Sequence, residues 1–226
     1  MLDILENHIA HSVQEACACL DADAQAIVVA GGTDVLIKIR EGKLAGARLV
    51  SIGDILELKG VSMKENGDLV IGPLTTFTEL EENPLIQKNI PLLAMAAGTV
   101  GGPQIRAAGT IGGNICNGVT SADTASPICA LNARLTARSA SGEREYSIHE
   151  HYAGVGKVTL QHGELLTAIT IPASEYQGYR GSYTKYAMRN AMDIATLSCA
   201  VCTVTLMVRI RTLRISRTVR IRARIR

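Results

Sequence analysis

The chain has 226 residues, of which 47% are hydrophobic and only 3% aromatic, so we expect one large or two small domains with an aliphatic core. Its formal charge of +2 is unevenly distributed, because residues 209–226 hold eight arginines and no acid and the residues before them net −6. Acidic residues near the start argue against a signal peptide, no apolar run reaches the roughly 18–20 residues of a membrane span, and the six cysteines are too scattered for a disulfide framework. A cytoplasmic protein that contacts no membrane and no nucleic acid is therefore expected.

The first 55 residues are predicted to form a small α/β unit. A capping box formed by Ser12 and Glu15 marks the start of a helix, and apolar strand-like runs follow. The predicted elements are a helix over 13–20, a strand over 26–30, a helix over 34–39 and a strand over 49–52. This order predicts an N-terminal subdomain over residues 1–55.

Residues 56–206 are predicted to form a second, larger subdomain. Asn66-Gly67 favours a tight hairpin turn, and Thr76 with Glu79 forms another capping box. Helices are also predicted over 92–97 and from Ser126-Pro127, with proline at the first helical position. Further strands are predicted over 61–63, 68–71, 135–137, 165–171, 183–188 and 194–208, the last as a central strand.

Two glycine clusters are the most informative feature of the chain. They are Ala30-Gly31-Gly32-Thr33-Asp34 and Thr110-Ile111-Gly112-Gly113-Asn114. Because glycine has no Cβ, successive backbone N–H groups can converge on one anion, most often a phosphate. Each cluster alone also fits an ordinary turn. Two clusters about eighty residues apart predict two walls that close on one extended phosphate-bearing ligand, such as a dinucleotide.

Other common chemical motifs are absent from the sequence. It contains no G-x-G-x-x-G after a strand, no G-x-x-x-x-G-K-[ST] and no H-E-x-x-H, which excludes a Rossmann fingerprint, a P-loop and a zincin site. The histidines lack the spacing of metal ligands, and His149 and His151 are interpreted as exposed loop residues. No metal site is expected in this chain.

At the glycine clusters the sequence resembles the FAD-binding subunits of molybdenum hydroxylases, the family of xanthine dehydrogenase and carbon monoxide dehydrogenase flavoproteins. The resemblance extends from about residue 1 to about residue 206. It is carried by the segments 28–36, 105–115, 121–123, 185–189 and 193–195, whose combination in this order is specific. It implies an α+β protein with the FAD-binding type 2 (PCMH-like) fold, in which FAD lies in a cleft between the two α/β subdomains.

The resemblance also implies a set of cofactor-binding residues. Residues 29–34 would wrap the diphosphate with backbone N–H groups. Thr110, Gly113 and Asn114 would contact it and the ribityl chain from the opposite side, and Asp123 would accept hydrogen bonds from sugar or ribityl hydroxyls. Leu165 and Leu166 would pack near the flavin ring, with Lys185 at its polar edge. The full set is Val29, Ala30, Gly31, Gly32, Thr33, Asp34, Val35, Ile105, Thr110, Gly113, Asn114, Asp123, Leu165, Leu166 and Lys185.

The implied function is electron transfer inside a multi-subunit hydroxylase of the xanthine dehydrogenase type. Electrons from a purine such as hypoxanthine or xanthine would pass from a molybdopterin-binding subunit through 2Fe-2S clusters on an iron–sulfur subunit to the FAD held here. NAD would then accept them as a hydride. The chain has neither cluster-type cysteine spacing nor a molybdopterin motif, so partner subunits would supply those centres in a heterotrimer active in purine salvage.

The resemblance ends near Leu206. From residue 207 to 226 arginine alternates largely with isoleucine, without the acids, glycines and turn residues of a packed domain. We expect most of the family's C-terminal domain to be missing, through a reading-frame shift or premature end near codon 207, and this aberrant Arg-rich tail to be a poorly ordered, self-pairing strand. The strand before it would then keep an exposed edge. A basic arm that binds a partner or a nucleic acid is the alternative for this segment.

Two alternative functions remain open at the level of sequence. One is a stand-alone FAD-dependent reductase of the same fold, although no acid–base pair for a bound substrate is evident near the glycine clusters. The other is a non-catalytic remnant of the subunit that binds partners but not flavin.

Overall fold

The computed structural model describes residues 3–206 and 209–219. The strands are β1 (Ile4–Ile9), β2 (Ala26–Val29), β3 (Ala47–Ser51), β4 (Val61–Met63), β5 (Leu69–Ile71), β6 (Arg134–Ser139), β7 (Gly142–Ser147), β8 (Tyr152–Gly154), β9 (Lys157–Val158), β10 (Leu165–Ile171), β11 (Arg180–Tyr186), β12 (Leu197–Leu206) and β13 (Arg209–Val219). The α-helices are α1 (Val13–Ala22), α2 (Val35–Arg40), α3 (Phe77–Glu82), α4 (Pro84–Asn89), α5 (Pro91–Gly98), α6 (Pro103–Ala108), α7 (Ile111–Cys116), α8 (Ala125–Ala130) and α9 (Ala173–Tyr176).

The N-terminal unit is a three-stranded parallel sheet in the order β1-β3-β2, with α1 and α2 in its connections. The apolar run 26–29 forms the edge strand β2, and the chain then passes through the first glycine cluster into α2. Parallel strands need such crossover connections, which place the loop after β2 at the carboxyl end of the sheet. The first glycine cluster is therefore held between a strand and a helix, as predicted.

The second unit is built on a five-stranded antiparallel sheet in the order β4-β5-β10-β6-β7. Helices α3, α4, α5, α7 and α8 contribute to its aliphatic core, whose fully buried members include Leu80, Ile111, Ile128 and Ile169. The central strand β10 begins with Leu165 and Leu166, both buried. Leu165 belongs to the core cluster of the N-terminal unit and Leu166 to that of the second unit, so the start of β10 contacts both.

At the starts of α1 and α3, the N-cap side chains predicted from the sequence accept hydrogen bonds from backbone N–H groups. Both bonds of the predicted capping box at Thr76 and Glu79 are present, at 3.2 and 2.7 Å. At α1 the Ser12 hydroxyl accepts from the N–H of Glu15 at 3.1 Å, but the Glu15 carboxylate turns to the N–H of His11 and to the His8 ring instead of closing the box. Each arrangement provides acceptors for backbone N–H groups that a helix end leaves unpaired.

The Asn66-Gly67 turn joins β4 and β5 as an antiparallel hairpin, as predicted. Of the two turn residues only Gly67 has a left-handed backbone, at φ +86°. The Asn66 side chain instead accepts from the N–H of Asp68 at 3.0 Å, which is the local bond that favours asparagine in turns.

Several sequence expectations need correction. The strand β1 was not predicted, and the segment containing the second glycine cluster forms two helices, α6 and α7, rather than a turn. Helix α8 begins at Ala125, so Pro127 is its third residue and not its first. His151 is fully buried, with its Nδ1 atom 3.0 Å from the Tyr146 hydroxyl, whereas His149 is exposed as expected.

The basic C-terminal segment also differs from expectation where it is described. Residues 209–219 form β13, which pairs antiparallel with β12 and not with itself. Strand β12 is therefore the centre of a three-stranded sheet, in the order β11-β12-β13, and does not have the exposed edge that was predicted. Arg214 pairs with Glu175 and lies 4.8 Å above the Tyr179 ring. Residues 207–208 and 220–226 of the predicted tail lie outside the described residues.

Candidate functional site

A cavity of about 450 Å³ lies where the first glycine cluster faces the second. Its wall includes Ala30–Val35 from the first cluster, Thr110 and residues 112–114 from the second, and the start of β10. Cavities of roughly 300–1,000 Å³ are typical of sites for small molecules and cofactors. The two clusters therefore share one crevice.

The clusters approach each other closely because Gly31 has no side chain. A Cβ atom on Gly31 would lie 1.7 Å from the carbonyl oxygen of Ala108 and 3.2 Å from the Cα of Gly109. The next residue, Gly32, has a left-handed backbone with φ +71°. One glycine thus permits the backbones to meet, and the other turns the chain into α2.

The first cluster presents a row of unused hydrogen-bond donors. Among the described residues, no acceptor receives a hydrogen bond from the backbone N–H groups of residues 31–35. These five residues all line the cavity. Because unpaired backbone donors are costly away from solvent or a ligand, and successive N–H groups form concavities for anions, the loop is suited to a phosphate-bearing ligand.

The second cluster differs from the first, because most of its backbone donors are already used. The N–H of Ile111 donates to Thr75 O, that of Gly112 to Pro73 O, and that of Gly113 to the Thr110 hydroxyl, at 2.8–3.2 Å. A Cβ on Gly112 would lie 2.5 Å from that of Pro73, so this glycine allows close packing. The second cluster therefore does not offer a second row of free N–H donors.

Polar side chains of the second cluster remain able to donate. The carbonyl oxygen of Asn114 accepts from the Thr124 hydroxyl at 2.6 Å, which leaves the amide NH₂ as the end available to a ligand. The Thr110 hydroxyl accepts from Gly113 and keeps its own hydrogen. Both residues line the cavity opposite the free N–H groups of the first cluster.

The remaining wall is largely apolar. Ile105, Leu165 and Leu166, predicted from the resemblance, all line the cavity, and Phe77 and Leu74 join them. An apolar surface of this kind can cover a planar ring system, while the N–H row holds a charged group. The cavity therefore has one apolar part and one donor-rich part.

Within the described part of the chain, three charged side chains lie on the cavity wall: Asp34, Lys38 and Glu164. Arg144 holds Glu164 through two bonds of 2.6 and 2.7 Å, and this hydrogen bonding lowers the pKa of the Glu164 carboxyl. Lys38 Nζ lies 2.6 Å from Asp34 Oδ2. Each carboxylate on the wall thus has its own cationic partner.

Three predicted residues do not lie on this wall. Val29 is buried at the end of β2, in a core cluster with Ile39, Ala47 and Leu49. Asp123 and Lys185 form a buried ion pair with Nζ and Oδ2 3.0 Å apart and side chains 8% and 10% exposed. Their charges are directed at each other.

The Asp123–Lys185 pair has further buried partners. The Tyr183 hydroxyl donates to Asp123 Oδ1 at 2.8 Å, and Lys185 Nζ donates to the carbonyl oxygen of Thr99 at 2.9 Å. Burial raises the pKa of the Asp123 carboxyl, and the ammonium of Lys185 opposes that rise. That these two residues contact a cofactor stays a prediction.

Sequence inspection missed several residues of the wall, among them Lys38, Phe77 and Asn117. Lys38 lies four residues after Asp34, one helical turn away, so its side chain could have been placed on the same helix face. Phe77 and Asn117 carry no such sign, because they reach the cavity only through the packing of α3 and α7.

The chain matches the family model described as the FAD binding domain in molybdopterin dehydrogenase, over residues 4–174. It is 42% identical over 200 residues to the xanthine dehydrogenase FAD-binding subunit of Escherichia coli O157:H7, covering 88% of this chain and 68% of that protein. It is 33% identical over 197 residues to the carbon monoxide dehydrogenase medium chain of Hydrogenophaga pseudoflava, covering 87% and 68%. The chain belongs to the family of FAD-binding subunits of molybdenum hydroxylases.

Solved structures agree with this assignment. Carbon monoxide dehydrogenase from Hydrogenophaga pseudoflava superposes with a TM-score of 0.91 at 30% identity, covering 96% of this chain and 75% of that one. Quinoline 2-oxidoreductase from Pseudomonas putida shares the fold with a TM-score of 0.88 at 24% identity. The chain therefore has the α+β, PCMH-like FAD-binding fold that its sequence indicated, and within the family it resembles the xanthine dehydrogenase subunits.

Two further observations bear on other kinds of site. The described residues contain no group of three or more His, Cys, Asp or Glu side chains placed to hold a metal ion. Within the same part of the chain, no helix has the length and apolar character needed to cross a membrane.

Proposed function

We propose that the cavity binds FAD and that the chain is the electron-transferring flavin subunit of a xanthine dehydrogenase-type molybdenum hydroxylase. The observation that carries the proposal is the row of five unused N–H groups at residues 31–35, facing the side chains of Thr110 and Asn114 across one crevice. The family assignment supports the same ligand.

The residues present fit a flavin dinucleotide in both charge and shape. The N–H row would hold the diphosphate, because each hydrogen bond to a charged oxygen contributes about 1.5–3 kcal/mol. The NH₂ group of Asn114 and the hydroxyl of Thr110 would donate from the opposite wall. Leu165, Leu166 and Ile105 would cover the apolar ring and exclude water from it. When bound, FAD supplies two-electron chemistry and hydride transfer.

The proposed role in a larger complex rests on relatedness to subunits of such complexes. By analogy with the xanthine dehydrogenase subunit it resembles, electrons would come from a purine oxidised at molybdopterin on one partner and pass through 2Fe-2S clusters on another. NAD would be the final acceptor.

Flavin binding is tested by purifying the chain and identifying any released flavin by chromatography. Gly113→Val is the test variant, because a Cβ on Gly113 meets only the Thr110 hydroxyl at 3.1 Å, and the added methyl groups would occupy the cavity. We expect wild-type protein to bind FAD and Gly113→Val to lose it. Gly53→Val is the matched control, since a Cβ on Gly53 meets nothing within 4 Å.

The electron-transfer role needs the partner subunits. With both partners present, we expect xanthine-dependent reduction of NAD and NADH-dependent reduction of a dye. A complex that binds FAD but reduces oxygen instead of NAD would refute the proposed acceptor. Turnover by the isolated chain would favour a stand-alone reductase, and a chain that binds partners but no flavin would favour the non-catalytic remnant.

A further inference from the structure

Lys38 is the cation that the cavity offers to an anionic ligand. Among the described residues that line the cavity, it is the one with a positively charged side chain. It lies on α2, directly after the loop that presents the row of unused N–H groups. A diphosphate held by that loop would bring negative charge to this part of the cavity, where Asp34 already contributes a carboxylate.

Two contacts fix the ammonium of Lys38 in place. Its Nζ lies 2.6 Å from Asp34 Oδ2 on its own helix turn and donates to Asn117 Oδ1 at 2.9 Å. Asn117 caps the C-terminus of α7, so Lys38 joins the two sides of the crevice. A lysine side chain is otherwise flexible, and these bonds reduce the entropy lost when it binds a ligand.

The ammonium has one donor more than these contacts use. A protonated lysine carries three N–H donors, and Asp34 and Asn117 account for two of them. The side chain is 40% exposed, so the third donor is accessible within the cavity. We propose that Lys38 donates this third hydrogen bond to a phosphate oxygen of the bound dinucleotide. This inference rests on the proposed function, because it assumes that the ligand is FAD.

The experiment is a titration of the apoprotein with FAD, with the dissociation constant measured by flavin fluorescence at low and high salt. The variants are Lys38→Gln, Lys38→Arg and Asn117→Ala, each checked by circular dichroism for an unchanged fold. Lys38→Gln should weaken FAD binding about 10- to 100-fold at low salt, because a charge-assisted bond is lost. That difference should shrink at high salt, because the side chain is partly exposed to solvent.

The other two variants distinguish a direct contact of Lys38 with phosphate from a purely structural link between α2 and α7. Lys38→Arg keeps the charge and should restore most of the affinity, while Asn117→Ala keeps the charge and removes only the link, so it should weaken binding less than about threefold. The inference would be overturned if Lys38→Gln bound FAD as tightly as wild type. It would also be overturned if Asn117→Ala lowered the affinity for FAD as much as Lys38→Gln does. If wild type itself fails to bind FAD, the proposed function fails and this inference fails with it.

Discussion

The buried pair of Asp123 and Lys185 gives the sharpest quantitative test of the structure. Replacing Lys185 by methionine keeps the length of the side chain but leaves the Asp123 carboxylate buried without its cation. Breaking a buried ion pair from one side costs about 3–5 kcal/mol in the free energy of unfolding. The reverse variant, Asp123→Asn, leaves the ammonium with Thr99 O and should cost a similar amount.

The double variant Asp123→Asn/Lys185→Met removes both charges together. It should be less destabilised than the sum of the single variants, with a coupling of about 1–3 kcal/mol. The free energies are measured by urea unfolding followed by circular dichroism. Lys64→Met is the matched control, because Lys64 is exposed and its replacement should change stability by less than about 0.5 kcal/mol.

The loss of stability in Lys185→Met should depend on pH, in a direction set by the pKa of Asp123. Burial already raises the pKa of Asp123 above its unfolded value, and loss of Lys185 should raise it further. A carboxyl whose pKa is raised in the folded state binds more protons there than in the unfolded state. Its contribution to the free energy of unfolding is therefore present at low pH and is lost as pH rises through the folded-state pKa. The deficit of Lys185→Met should therefore be small near pH 4 and largest at neutral pH. Additive single variants, or a deficit independent of pH, would refute this account of the pair.

The same variants test whether these residues also contact the cofactor, as the family resemblance implies. The folded double variant is titrated with FAD beside wild type. Weakened binding would support a cofactor contact, and unchanged binding would limit the two residues to their ion pair.

Three further perturbations test the helix cap, the glycine contact and the buried histidine. Thr110→Val removes the acceptor for the Gly113 N–H and should cost about 1 kcal/mol in thermal or urea unfolding, whereas Thr110→Ser should not. Gly31→Ala should abolish FAD binding and destabilise the protein by about 1–3 kcal/mol or more, because its Cβ would overlap the backbone oxygen of Ala108; in the same unfolding assay Gly53→Ala should be neutral. Burial lowers the pKa of His151 to about 4, so the unfolded state binds the extra proton and stability should fall by up to about 3 kcal/mol as pH drops from about 6.5 to about 4. The free energy of unfolding is measured across that pH range, and His151→Gln should lose this dependence on pH. The control His11→Gln, which replaces an exposed histidine, should keep it. An unchanged pH dependence in His151→Gln would contradict the assignment.

The glycine pattern predicted where the candidate site lies but not which of the two clusters has free backbone N–H groups. Both clusters were expected to supply backbone donors. Among the described residues, the N–H groups of residues 31–35 are all unused, whereas most of those in the second cluster already donate to acceptors that include Pro73, Thr75 and Thr110. Two of these acceptors, Pro73 and Thr75, lie about forty residues before their donors, so no local pattern shows that the donors are used.

The position of charged residues was likewise beyond local reasoning. Asp123 and Lys185 are 62 residues apart, and the sheet pairing of β11 with β12 helps to bring Lys185 to its partner. Lys38 was overlooked, although its spacing from Asp34 is that of one helical turn. The contacts that link these residues to distant segments, Lys185 with Asp123 and Lys38 with Asn117, are tertiary, and the residue types alone fit ordinary surface or core positions.

The amino-acid sequence by itself determined the order of α1, β2, α2 and β3, the capping of α3, the hairpin at Gly67 and the family, because these depend on short-range patterns and on residues that must be glycine. Only the tertiary structure decided that Gly31 meets the backbone at Ala108, that the strand 209–219 covers β12, and which polar groups remain unpaired in the cavity. Those outcomes depend on distances between segments up to about eighty residues apart, which the packing of the two units sets.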